Sequence, residues 1–242
     1  MPPELIIIYD DNPYDNQLHN AHGFYCLIKL AKMTILFDTG GDSSTLLYNM
    51  RQLQIEPGEI NAVVLSHIHS DHVGGLIGFL EQNSAVNVYL PRSFPKSFKD
   101  KVSSLGAKVE EIYGANALFP GVYTAGKLGV GIIEQSLIIT TGKGSVVITG
   151  CAHPGIVEII RRAKEVTSDN RVYLVIGGFH LAGAPAAQVK SIISDFIQLG
   201  VEMVAPCHCS GGETRRLFEE RCGINYIESG VGKEILLQPA KR

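Results

Sequence analysis

The chain has little that would tie it to a membrane, a nucleic acid or an oxidising compartment. Nowhere in its 242 residues do 18 apolar residues follow one another, so no segment is expected to cross a bilayer as a helix. The opening MPPELIIIYDDN has no basic region ahead of its short apolar run, and an export signal is not expected. A net charge of −3 supplies no basic footprint, which argues against nucleic acid as a partner. Five cysteines, Cys26, Cys151, Cys207, Cys209 and Cys222, are an odd and scattered set in a chain too large to need disulfide staples. A reducing, cytoplasmic setting is the expectation, with a small molecule as substrate. No linker or low-complexity tract interrupts the chain. Its 45% hydrophobic content can bury one sizeable core, so residues 1–242 are expected to form a single domain.

What is present alternates between two periods. ELIIIYD, GFYCLIKL and MTILFDTG read as consecutive strands, being β-branched and aliphatic runs that end in turn residues. From Ser43 the apolar residues Leu46, Leu47, Met50 and Leu53 recur at helical spacing behind Asp42, Ser43 and Ser44, which predicts a capped amphipathic helix. INAVVLSH and VNVYL predict strands, residues 95–104 a Lys-rich helix, and AKVEEIY, GVYTAG, GVGIIEQSLIIT and GSVVITG further strands separated by glycines. Pro154 suits a helix N1 position ahead of Ile156, Ile159, Ile160 and Ala163. RVYLVIGG, a helix through Val189, Ile193 and Phe196, VEMVAP and a β-rich INYIESGVGKEILL complete the chain. Strands followed by strand–helix alternation occur twice, dividing near residues 114–121. This order predicts a four-layer α/β sandwich, αββα, with sheets inside and helices outside.

The chemistry is concentrated in VVLSHIHSDHVGG, residues 63–75, where three of the eight histidines and an aspartate share six positions. Imidazole and carboxylate together suit zinc, iron or manganese. On an extended segment His67 and His69 point to the same side and can reach one ion. Asp71 and His72, past the turn, can face a second, and Gly74 and Gly75 let the backbone turn and start the next helix closely. A solvated polar loop is the bland alternative. His153, His180 and His208 also follow apolar strand-like runs, and strand ends are where α/β folds gather a site.

HIHSDH resembles the HxHxDH signature of the metallo-β-lactamase superfamily, and FDTG, residues 37–40, stands where those proteins carry a strand-end aspartate. ILFDTGGDSSTLLYNM, VVITGCAHPGI, VIGGFHL and GVGK further resemble the branch of 7,8-dihydropterin-6-methyl-4-(β-D-ribofuranosyl)aminobenzene-5′-phosphate synthases. The resemblance spans residues 35–233. It implies the αββα fold, a mono- or dinuclear metal site and, for most members, hydrolysis. It also implies His67 and His69 as ligands of a first ion, Asp71, His72 and His208 as ligands of a second, and Asp38 as a brace for the metal loop. Two departures stand out. No histidine lies between His72 and His153, and the usual bridging aspartate is Cys151. His153 is then the candidate for the missing first-metal ligand, while Cys151 is either a soft ligand or a buried thiol.

Asp71 and His180 are the candidate catalytic residues. His180 can be a ligand, a proton donor or substrate anchor, or a structural residue under the Gly177–Gly178 turn. Glu134 reads as a solvent-facing strand residue or an occupant of the vacated third-motif region. Cys207 and Cys209 read as passive thiols flanking His208, and His19 and His22 as surface or rim residues. Lys143 and Lys233 are candidate phosphate contacts, although ordinary surface lysines is the plainer reading. The predicted function is a metal-dependent hydrolase with two divalent ions, zinc foremost and manganese or iron as alternatives. It acts on an ester, phosphoester or related bond of a small molecule, with a phosphorylated pterin-type compound as the candidate. The alternative is a metal- or ligand-binding module without turnover. A flavodiiron reductase would need Glu where His69 stands, together with a flavodoxin domain. A nuclease of the same superfamily would need an inserted domain and a basic surface.

Overall fold

A computed structural model describes residues 3–238. The described strands are β1 (Glu4–Tyr9), β2 (Tyr25–Leu30), β3 (Met33–Phe37), β4 (Ala62–Val64), β5 (Asn87–Pro91), β6 (Lys108–Ile112), β7 (Asn116–Phe119), β8 (Val122–Thr124), β9 (Leu137–Thr141), β10 (Gly144–Thr149), β11 (Val172–Gly178), β12 (Val201–Cys207) and β13 (Glu234–Leu236). The helices are α1 (Ser43–Gln52), α2 (Ser70–Val73), α3 (Leu76–Gln82), α4 (Lys96–Ser104), α5 (Ile156–Thr167), α6 (Ala186–Gln198) and α7 (Gly212–Cys222). None of them is long and apolar enough to cross a membrane.

The chain divides into two compact units. Among the described residues, the first takes in those up to Tyr113 together with Gly230–Leu237, and the second Gly114–Ser229 with Gln238. The first is a seven-stranded sheet in the order β13-β1-β2-β3-β4-β5-β6, antiparallel from β13 to β3 and parallel from β3 to β6. The second is a six-stranded sheet in the order β12-β11-β10-β9-β8-β7, parallel from β12 to β10 and antiparallel beyond. Two mixed sheets with helices are the α/β architecture expected for the metallo-β-lactamase fold.

Helix placement follows local sequence. Asp42 caps α1 by accepting from the Thr45 amide at 2.8 Å and the Ser44 hydroxyl, which satisfies donors the helix cannot bond internally. Burial pushes the Asp42 carboxyl up, but these bonds and that from Tyr9 outweigh it and hold it near about 2. In α5 the buried residues Ile156, Ile159, Ile160 and Ala163 form one stripe. Each buried isoleucine contributes about 1.5–3 kcal/mol of hydrophobic stabilisation. An aspartate at Ile160, which is fully buried, would remove that and add an unpaired charge.

Several elements differ from the sequence reading. Pro154 lies outside α5, whose N-cap is Gly155 at φ 96°. Of GVGIIEQSLIIT only the part from Leu137 onward is strand, because Gly129 and Gly131 adopt φ of 98° and 84° and Glu134 is buried. The C-terminal stretch is strand only at Glu234–Leu236. Strand β7 and helix α7 were not anticipated. The latter starts on Gly212 and buries only Thr214, Leu217 and Phe218, so its apolar stripe is faint.

Candidate functional site

In the first unit, β3 and β4 are parallel neighbours with Phe37 opposite Val64. Asp38 and the Ser66–His67 segment therefore leave the sheet at the same edge. Asp38 adopts φ 61°, a conformation costly for a residue with a Cβ and characteristic of functional loops. Its buried carboxylate accepts from the Ser66 amide at 2.6 Å, the Ser66 hydroxyl at 2.7 Å and His72 Nδ1 at 2.8 Å. Ser66 gives its only hydroxyl proton to Asp38, so at 2.9 Å its oxygen must accept from His67 Nδ1. Both His67 and His72 are thereby assigned the Nδ1–H tautomer, with the lone pair on Nε2.

Those nitrogens meet their neighbours. His67 Nε2 lies 3.1 Å from His69 Nδ1, close to the roughly 3.3 Å between two nitrogens on one tetrahedral zinc. His72 Nε2 lies 3.4 Å from Asp71 Oδ2, and the His67 and His72 rings are 4.2 Å apart. Thr39 holds the His72 carbonyl through its amide at 2.8 Å and its hydroxyl at 3.0 Å. The four first-unit residues of the motif are thus brought together, with the Asp38 brace in place.

Two features of this loop were missed or misread from sequence. Gly74 has φ −64° and ψ −31°, so it makes no special turn. It is required because a Cβ there would stand 2.0 Å from the Gly41 carbonyl oxygen, as one on Gly75 would stand 2.2 Å from that of Thr39. His22 is exposed as expected, yet its Nε2 is 3.5 Å from Asp71 Oδ2 and its Nδ1 is 3.1 Å from Asp11 Oδ2. Nothing in the spacing could have indicated that. His19 is exposed and stacks on Tyr48 at 3.9 Å.

In the second unit, β10, β11 and β12 are adjacent and parallel, so the residues after them share one edge. Ala152, His180 and His208 adopt φ of 62°, 52° and 46°, the same left-handed conformation as Asp38. The rings of His153 and His180 are 4.4 Å apart. Cys151 Sγ lies 3.4 Å from His208 Nε2. Potential ligand atoms of Cys151, His153 and His180 lie within 4.8 Å of one another. His180 is exposed, which removes the reading of a structural histidine packed under the glycine turn.

Glu134 is the main correction. It is buried rather than solvent-facing, and its carboxylate accepts from the amides of Cys151 at 3.0 Å, Ala152 at 2.9 Å and His153 at 2.9 Å. It anchors the 151–153 loop by its backbone, a role that only knowledge of the fold could supply. Cys209, expected to be passive, places its Sγ 3.7 Å from the Cys151 carbonyl oxygen. Its thiol is pulled down to about 5, first by the hydrogen bond with Cys151 and against burial, with His208 and His180 assisting. Cys207 is buried.

The two candidate phosphate lysines have side-chain partners of their own. Lys143 sits at the far end of β10, 3.8 Å from Glu202 and over the Tyr173 ring. Lys233 bonds the Tyr14 hydroxyl at 3.0 Å.

Comparison with known proteins identifies the family and the fold. The family profile of the Metallo-beta-lactamase superfamily matches residues 23–208. A 7,8-dihydropterin-6-methyl-4-(beta-D-ribofuranosyl)-aminobenzene-5′-phosphate synthase of Methanocaldococcus jannaschii is 29% identical, over 92% of this chain and 92% of its own. The crystal structure of a metal-dependent hydrolase of the beta-lactamase superfamily superposes with a TM-score of 0.82 at 26% identity, covering 98% of this chain and 99% of that one. A metallo-beta-lactamase fold protein of Bacillus subtilis shares the fold at a TM-score of 0.72 and 15% identity, over 97% and 100% of the two chains.

Proposed function

Because the chain belongs to the metallo-β-lactamase superfamily, we propose that it is a metal-dependent hydrolase of a small molecule. It would use two divalent ions, zinc foremost and manganese or iron as alternatives, with His67, His69, Asp71 and His72 as the candidate ligands in the first unit and His153 and His208 as those in the second. The observation that carries this reading is the approach of His67 Nε2 to His69 Nδ1 at 3.1 Å, with Asp38 and Ser66 setting the His67 tautomer. Two imidazole nitrogens at that separation, beside the His72–Asp71 pair, fit a borderline cation. Such ions, when bound, lower the pKa of water and polarise a carbonyl or phosphoryl oxygen.

The chain's own residues do the rest. Asp38 orients His72 and, through Ser66, His67, in the manner of a hydrogen-bonded group behind a metal ligand. Asp71 places a carboxylate beside the His72 nitrogen, where it can take up a proton. His180, exposed at the end of β11, is suited to pass a proton to or from a substrate. For the substrate class, the name of the Methanocaldococcus relative supports a phosphorylated pterin-type compound, cleaved at an ester, phosphoester or related bond. Neither nucleic acid nor membrane is required as a partner, and a reducing cytoplasm suits the free cysteines.

Metal content by elemental analysis, measured beside turnover on a panel of phosphoesters and phosphorylated pterins, tests this. About two transition-metal ions per chain are expected, with metal and turnover both falling in His69→Ala. A folded protein that takes up no metal from a replete preparation would overturn it. Metal uptake and saturable binding without turnover would favour the non-catalytic module.

A further inference from the structure

We propose that His22 is a substrate contact: Asp11 fixes its imidazole so that Nε2, beside the Asp71 carboxylate, accepts a hydrogen bond from a hydroxyl or amine group of the substrate. This rests on the hydrolase reading above, in which Asp71 belongs to the reacting centre, and it adds a residue outside the candidate metal ligands.

The side chain is 72% exposed, yet its surroundings hold it in place. Asn49, fully buried, secures the chain before it by accepting from the His19 amide at 2.9 Å and donating to the His19 carbonyl at 2.8 Å. Asn20 donates to the Asp11 carbonyl at 3.0 Å. After it, Gly23 at φ 142° leaves no room for a Cβ against the Asp71 carbonyl oxygen, which accepts from the Phe24 amide at 3.3 Å. His22 is therefore seated directly against the loop that carries Asp71. The Asp11 carboxylate completes the arrangement, with one oxygen on the Gly23 amide at 2.9 Å and the other on His22 Nδ1 at 3.1 Å. Immobilising a side chain costs rotamer freedom, and at this exposure burial does not offset it. A polar group held in advance of its ligand is what such an arrangement provides.

The chemistry of the contact follows from the partner. Asp11 accepts, so the ring proton lies on Nδ1 and the neutral imidazole carries its lone pair on Nε2. That nitrogen is 3.5 Å from Asp71 Oδ2, the same oxygen that stands 3.4 Å from His72 Nε2. His22 thus reaches the edge of the candidate metal site without being one of its donors. Two acceptors at that separation converge on one donor group. The carboxylates of Asp11 and Asp71 make this flank negative, which disfavours a phosphate there and favours the hydroxyl- or amine-bearing end of the substrate.

Heteronuclear NMR of the histidine rings in the zinc-loaded, full-length protein tests the first half of this without reference to activity. At about pH 8.5, where an ordinary imidazole is neutral, His22 is expected as the Nδ1–H tautomer. Asp11→Ala is expected to return it to the Nε2–H form that exposed histidines favour. Steady-state kinetics test the second half with glycerol 3-phosphate and propyl phosphate, which differ in their hydroxyls. His22→Ala should lower kcat/KM about 10-fold for the first and about 2-fold or less for the second, with zinc content unchanged. His22→Gln, whose Oε1 can accept in place of Nε2, should recover part of the loss. An Nε2–H or doubly protonated ring in the wild type, an equal loss on both esters, no loss on either, or a loss of zinc in His22→Ala would overturn the contact and leave the hydrolase reading standing. A wild type that turns over no phosphoester of the panel would overturn both.

Discussion

In the first unit the histidines are neighbours in sequence, and one carboxylate holds them through side chains: Asp38 takes Ser66 and His72, and Ser66 takes His67. In the second unit the candidate ligands arrive from three strand ends, and a carboxylate holds one of those loops through its backbone: Glu134 takes the amides of residues 151–153. A side-chain brace sets tautomers as well as positions, because each imidazole proton is assigned by its acceptor. A backbone brace leaves side-chain chemistry open. The support of the second loop therefore does not depend on the side chain at Cys151.

Removing the first brace should have the largest effect. Asp38→Ala leaves the Ser66 amide and His72 Nδ1 without their acceptor in a fully buried setting. Its expected cost is about 3–5 kcal/mol in urea denaturation, with metal affinity falling about 10–100-fold. An effect under about 1 kcal/mol would mean that the brace is dispensable. Glu134→Ala should cost about 2–4 kcal/mol and speed hydrogen exchange at the amides of Cys151, Ala152 and His153. Unchanged exchange at those amides would show that the carboxylate does not hold them.

Glycines at close approaches sharpen the comparison. In Gly177→Ala the new Cβ would stand 2.1 Å from the Thr149 oxygen at φ 121°, whereas in Gly74→Ala it would stand 2.0 Å from the Gly41 oxygen at an ordinary helical φ. The expected losses are about 3 and about 2 kcal/mol, read from thermal midpoints, because only the first adds a left-handed backbone penalty to the clash. An equal or reversed order would show that the φ penalty is not felt. The smallest effect belongs to Asp42, a half-buried carboxylate that caps a helix. Its folded value near about 2 lies below the unfolded value of about 3.9, so its contribution is present above that pH and fades as pH falls toward 2. Solvent screening limits it to below about 1 kcal/mol. Asp42→Asn should track the wild type at pH 2 and fall slightly below it at pH 6. A constant gap across that range would show that the charge is irrelevant.

Much of this was legible before any fold was known. His67, His69, Asp71 and His72 are close in space because they are close in sequence on a short extended segment and one helical turn. The strand ends before His153, His180 and His208 were visible as apolar runs stopping at glycine or proline. The role of Glu134 was invisible, because its partners lie 17 to 19 residues away and are backbone amides, which carry no sequence signature. Gly74 was misread for a related reason: a glycine needed for a neighbour's carbonyl looks the same in sequence as one needed for a turn. The His22–Asp71 contact joins residues almost fifty positions apart, and no local period encodes it.

The sequence by itself determined the family, the α/β alternation and the donor types, because periodicity, turn residues and ligand chemistry are local properties of the chain. The tertiary structure alone decided which strands are adjacent and parallel, and therefore which loop ends share an edge. It also decided which carboxylate, Asp38 or Glu134, meets which buried donor. Those outcomes depend on pairing between distant segments, and the demand that every buried donor find an acceptor can be met only once the strands are in register.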